Sequence, residues 1–209
     1  MSITVDQLKK FAPKIFVIGA TPYEDLVAAL NTTMAKHKIN TPRRIRYFMA
    51  QCYVESQGFR KFEEDLYYTT PERIVTVFSP RLSMATAPDY VRNAEKLANF
   101  VYAKRFGNGD VASGDGYRFR ARGIIGLTFN ANYAAYSADT YGDNRCVKNP
   151  ELVAQYKDGV ESAGWYWTSK GLNALSDSDS FTLQTKAING SDRSVPERLP
   201  ILKLANSIF

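Results

Sequence analysis

The sequence predicts an α+β fold, mainly α: one domain over residues 1–209, with two lobes around a cleft, the smaller at roughly 60–120. Three observations carry this. Apolar residues recur at helical spacing along most of the chain. Thr and Pro mark several helix starts. One strong break in composition, GNGDVASGDG at 107–116, reads as a loop. The YRFRARG that follows alternates aromatic and basic residues, as a short strand or hairpin arm would.

Residues 3–12 suggest a short helix, with Val5, Leu8 and Phe11 near helical spacing. Pro22–His37 is a stronger one, opened by Pro22 and striped by Leu26, Val27, Leu30 and Met34. Next, Thr41 suits an N-cap and Pro42 a first helical residue. Ile45, Phe48, Met49, Cys52 and Ser56 share one face, and Gly58 ends the helix. Pro71–Phe78 and Asp89–Arg105 follow as helices, with a loop between Pro80 and Pro88. Beyond the break come Asn130–Tyr141, Pro150–Tyr156, Asp158–Lys170 (closed by Gly171), Asp179–Asn189 and Pro196–Ile208.

A chain of 209 residues can bury a core unaided. The formal charge of +6 suits an anionic partner, whether nucleic acid, membrane or acidic wall polymer; the basic residues are scattered, so a plain soluble surface explains them equally well. Nothing reaches the length of a membrane span, and the first 20 residues lack the layout of a secretory signal. Cys52 falls in a helix stripe and reads as a buried free thiol. His37 is the single histidine, so a zinc site with two His ligands is not available, and it reads as a helix-end residue. No P-loop or dinucleotide fingerprint is present. No metal and no cofactor is expected. Carboxylate-driven hydrolysis remains among the common chemistries.

Glu55 lies about 20° from Phe48 on the helical wheel, at the edge of the apolar stripe. Partial burial and the helix C-terminus both favour a neutral carboxyl, which a general acid needs. The plain alternative is a surface Glu paired with a nearby Arg. Nine residues on, across a Gly turn, Glu63 and Glu64 adjoin Asp65. A solvated carboxylate there could serve as a base, and a solvated acidic run explains it as well.

The segment AQCYVESQGFRKFEEDLYY resembles the catalytic segment of family 19 glycoside hydrolases, AQ-x-x-HES-x-GF-x-x-x-EENL-x-Y. VYAKRFGNGDVASGDGYRFRARGIIGLTFNANY resembles the same family's YANR-x-GNGD…SGDG-x-R-x-RGRG-x-IQLTG-x-x-NY. NPELVAQ, ESAGWYWTSKGLNAL and INGS resemble its C-terminal half, so the likeness covers roughly residues 20–200 in order. Val54 stands for the family's His, Gly126 for its Gln, Ala121 for the Gly at the second position of RGRG and Asp65 for an Asn.

The resemblance implies a lysozyme-like helical domain of the phage endolysin type, with no separate wall-binding module. By residue, Glu55 matches the general acid and Glu64 the general base. Thr128 matches a group that holds the attacking water, and Asn132 with Tyr133 the pair lining the cleft. Asn189 matches the Asn of the ING segment, Arg198 an Arg supporting the base region, and Arg122 belongs to the turn shaping the groove floor. The expected reaction is inverting hydrolysis of β-1,4 bonds in bacterial peptidoglycan, with carboxyls about 6.5–9.5 Å or more apart. The alternatives are a chitinase, a lytic transglycosylase and a non-catalytic glycan-binding protein. An endolysin of this kind would be a monomer, made in the host cytoplasm and released to the periplasmic wall through a holin-type pore. It would have no nucleic-acid partner and no stable membrane insertion.

Overall fold

The computed structural model describes residues 2–209. Twelve α-helices occur among them: α1 (Val5–Phe11), α2 (Pro22–Lys36), α3 (Pro42–Glu55), α4 (Pro71–Phe78), α5 (Ala94–Val101), α6 (Asp115–Arg118), α7 (Asn130–Tyr141), α8 (Arg145–Lys148), α9 (Tyr156–Ser169), α10 (Leu172–Asp177), α11 (Phe181–Asn189) and α12 (Val195–Ile208). Three 3₁₀ turns lie at Ala87–Tyr90, Val111–Ser113 and Pro150–Ala154. Among the described residues, no helix is long and apolar enough to cross a membrane.

Local chemistry sets many of the boundaries. The hydroxyls of Thr4, Thr41 and Thr70 each accept from a backbone N–H of the first turn, and each such cap is worth about 1 kcal/mol. The helix expected over Asp89–Arg105 is shorter, because Asn93 accepts from the Lys96 N–H and starts α5 there. Where a hairpin arm is expected at 117–123, residues 115–118 form α6. β structure among the described residues is reduced to the isolated bridges Glu63↔Arg122 and Arg122↔Leu127. Backbone accounting explains this: the Tyr117 N–H donates to Asn99 Oδ1 at 2.7 Å, a partner on α5 rather than on a neighbouring strand.

The chain forms two compact units. The first comprises residues 1–62, 123–126 and 152–209. Within it α3 packs on α12 and α10, α2 on α9 and α1, and α10 on α9 and α11. Phe48 and Trp167, both fully buried, meet edge to face at 5.2 Å. Each such burial stabilises by roughly 1.5–3 kcal/mol. The close approach of α2 and α9 needs Gly164: a Cβ there would stand 2.4 Å from both Thr33 Cγ2 and His37 Cδ2. His37 caps the end of α2. Beside it the buried Glu161 accepts from Thr33 (3.1 Å), contacts His37 Nε2 (3.0 Å) and pairs with Lys36. Burial alone would raise the Glu161 carboxyl; the His37 and Lys36 contacts outweigh it and hold the group below the ordinary range. Cys52 is a buried thiol, and Cys146 of the second unit is also buried and outside any disulfide.

The second unit comprises residues 63–122 and 127–151, so it runs past the end expected for the smaller lobe. Its core gathers Ile74, Leu82, Ala87, Leu97 and Val101. α5 packs on α6 and α7 on α8. Gly116 permits the first contact, because a Cβ there would sit 2.3 Å from the Ala98 carbonyl oxygen.

Candidate active site

Glu55 is the last residue of α3. The exit that follows is sharp: Gln57, Gly58 and Phe59 all have positive φ, and the Ser56 hydroxyl donates to the Cys52 carbonyl and accepts from the Phe59 N–H. The Glu55 side chain is 23% exposed, and its Oε1 accepts from Arg198 Nη2. Arg198 is 3% exposed and reaches from α12. Its Nη1 donates to Gln51 Oε1 at 2.5 Å, and its Nε to Ser194 Oγ at 3.2 Å. Gln51, one turn before Glu55 and fully buried, passes the network to Thr185 Oγ1 at 3.1 Å. Asn189 joins through Ser194 Oγ at 2.9 Å. Glu55 Oε2 has no hydrogen-bond partner among the described residues. The result is one carboxylate oxygen fixed by a buried cation and one left open. Tyr166, on α9, is near enough that burial and then the Glu55 charge raise its phenol.

Two corrections follow. The family resemblance puts Arg198 beside the base; its guanidinium instead holds Glu55. The sequence reading of Glu55 offers pairing with a nearby Arg only as a surface alternative; the pairing is present, but with a buried Arg198 that arrives from α12.

Glu64 belongs to the second unit. Its Oε2 accepts from the Tyr102 hydroxyl at 2.9 Å, and its Oε1 from the Ala121 N–H at 2.7 Å. The Glu64 N–H returns a bond to the Ala121 carbonyl at 3.0 Å. Burial, then the Glu64 charge, raises the Tyr102 phenol strongly, so Tyr102 is a donor at neutral pH. Glu63 is used differently. It pairs with Arg120 and lies 3.6 Å from Arg122 Nε. In an extended segment adjacent side chains take opposite sides, which separates an ion-paired Glu63 from a Glu64 held by a phenol and a backbone N–H.

Arg122 and Tyr133 are 1% and 0% exposed, so neither lines an accessible surface. This corrects the expectation of a cleft-lining Tyr133. Its hydroxyl donates to the Arg120 carbonyl (2.9 Å) and accepts from Arg122 Nη1 (3.1 Å), which also donates to the Arg118 carbonyl (2.7 Å). Burial raises the Tyr133 phenol to about 12 despite Arg122. Both residues brace the segment that carries Ala121. Asn132 is exposed, and its amide donates to the Thr128 carbonyl at 2.8 Å. Gly126, where the family has Gln, has φ +71°, a conformation a Gln side chain would strain.

The structure thus brings Glu55, Arg198 and Asn189 together in one unit, and Glu64, Arg122 and Tyr133, with Thr128 beside Asn132, in the other. Sequence reasoning missed Gln51, Tyr102, Thr185 and Ser194. Gln51 had a legible signal, since it is a polar residue four positions before Glu55 in an otherwise apolar stretch. The others are brought in by tertiary contacts.

No family model matches the chain. Its fold is similar to that of chitinase C from Streptomyces griseus, with a TM-score of 0.64 and 20% identity over 99% of this chain and 91% of that one. It is also similar to a bacterial family 19 chitinase, with a TM-score of 0.63 and 17% identity over 99% and 94%. At such identities the likeness is one of fold. A Haemophilus influenzae protein described as a glycosyl hydrolase family 19 domain-containing protein is 38% identical over 157 residues, 75% of each chain. The ordered motifs around Glu55 and Glu64, the shared fold and this relative agree: the chain belongs to glycosyl hydrolase family 19.

Proposed function

We propose that this glycosidase hydrolyses β-1,4 bonds of bacterial peptidoglycan, with Glu55 as general acid and Glu64 as general base. The observation that carries the reading is the buried Arg198, which donates to Gln51 and to one oxygen of Glu55. A protonated Glu55 gives its proton to the glycosidic oxygen as the C1–O bond breaks. Arg198 stands beside the carboxylate that remains, and an opposite charge at hydrogen-bond distance stabilises it. Glu64 takes a proton from the water whose oxygen bonds to C1 from the opposite face, so the anomeric configuration inverts. Tyr102 and Ala121 fix both oxygens of that base. Thr128, Asn132 and Asn189 are assigned to the water and the glycan; Arg122 and Tyr133 to support behind them.

The motif likeness to phage endolysins supports a role in host lysis, with the enzyme reaching the periplasmic wall through a pore-forming partner. The net charge of +6 suits an anionic wall polymer. A chitinase is the second reading, favoured by the fold similarity to two chitinases. Purified peptidoglycan and chitin oligomers, digested in parallel and analysed by mass spectrometry, separate the possibilities. Hydrolysis of peptidoglycan adds one water per cut and creates a reducing amino sugar. An anhydro product would mean a transglycosylase, and cleavage of chitin alone would mean a chitinase.

A further inference from the structure

Within the second unit, the loop between α5 and the Val111–Ser113 turn builds a feature that the acid–base chemistry does not use. Phe106 is 65% exposed, and its ring lies 5.0 Å from that of Phe129. Tyr102 meets Phe129 in an edge-to-face contact at 5.4 Å. The Arg105 guanidinium stands over Phe129 at 4.9 Å, and about equally near Phe106 and Tyr102, at 5.9 and 6.0 Å. Arg105 has no carboxylate at ion-pair distance among the described residues.

The backbone beneath is fixed. Asn108, 7% exposed, donates to the Tyr102 carbonyl (3.0 Å) and accepts from the Asn130 N–H (2.9 Å). The Ala131 N–H donates to the Phe106 carbonyl at 3.0 Å. Phe106 and Phe129 have φ of +40° and +74°, a region that L residues rarely enter, so both rings are presented by strained backbone. Tyr102 belongs to this cluster and also holds Glu64.

We propose that Phe106, Phe129 and Arg105 form a glycan subsite for an amino sugar that carries a carboxylate. The inference rests on the glycosidase reading above and names its substrate class. The exposed Phe106 ring offers an apolar face to the C–H groups of a pyranose. Arg105, already ordered by three rings, supplies a planar donor for a carboxylate. A neutral chitin strand has no group for that cation. A muramyl residue that has lost its stem peptide bears a free lactyl carboxylate and has one; where the peptide is attached, that carboxyl is an uncharged amide. The two substrates left open above are thereby separated at a residue outside the acid–base pair.

The test measures binding by calorimetry, in a Glu55→Gln background, of a muramic-acid-containing tetrasaccharide and of the same compound with its lactyl carboxyls reduced. The acidic ligand is expected to bind roughly 10- to 100-fold more tightly, the worth of one charged hydrogen-bonded contact. Arg105→Gln should bring that ratio close to one, and Phe106→Ala should weaken both ligands. Equal binding of the two ligands, or a preference that survives Arg105→Gln, overturns the subsite. Cleavage by the wild-type chain is followed separately. Cleavage with an Arg105-independent preference rejects the subsite alone, whereas an Arg105-dependent preference without any cleavage supports the subsite and rejects the hydrolase reading.

Discussion

Glu55 and Glu64 are both held, but by opposite means. Glu55 is fixed through one oxygen by a buried cation arriving from 143 residues away, and that cation also binds Gln51. Glu64 is fixed through both oxygens by a phenol and a backbone N–H. The first arrangement depends on helix packing of α3 against α12. The second depends on local chain geometry around Ala121, braced by Tyr133 and Arg122. An acid must give up charge-neutrality when it acts, and a cation beside it eases that change. A base needs its oxygens aimed, which neutral donors do without cancelling its charge.

The contrast can be broken from either side. Arg198→Ala should have the largest effect. It leaves Glu55 and Gln51 without their shared donor, and loss of one partner of a buried pair costs about 3–5 kcal/mol. Urea unfolding should show a lowered midpoint, and glycan cleavage should fall even where the variant is folded. Tyr102→Phe comes next. Losing one hydrogen bond to a charged group costs about 1.5–3 kcal/mol. Its signature should be a lower kcat with KM little changed, since Tyr102 orients the base. Tyr133→Phe should be smaller, about 1 kcal/mol in stability. Because Tyr133 is buried, KM should be unchanged, whereas Asn132→Ala, at an exposed position, should raise KM. A raised KM in Tyr133→Phe would return that residue to the glycan surface.

The smallest effect sits away from both carboxylates and serves as a control. Glu161 has its folded pKa held below the ordinary 4.5. Its contribution to stability is therefore full above that value and is lost as pH falls through the folded pKa. Wild type should exceed Glu161→Gln in thermal stability at pH 7, and the gap should narrow as pH falls below 4.5 and through the lowered folded pKa. A gap that widened in acid would contradict the Lys36 and His37 contacts.

Much of the helical layout was legible because its signals are local. Thr41–Pro42 starts a helix where capping chemistry says it should, and Pro71–Phe78 and Asn130–Tyr141 match at both ends. The α10 helix was missed. The Asp115–Arg118 turn was misread because alternation alone cannot show that Asn99 takes the Tyr117 N–H. The two carboxylates were legible as a pair only through the family motifs. The Arg198–Glu55 contact spans 143 residues, and no periodicity encodes it. Even the resemblance gave Arg198 to the wrong carboxylate.

The most direct measurement is the rate of Glu55→Gln on purified peptidoglycan, with folding checked by thermal melting. Loss of a positioned general acid should lower kcat by roughly 10²- to 10⁴-fold while the fold persists. Near-wild-type cleavage by a folded Glu55→Gln chain would contradict the assignment of Glu55 as the acid.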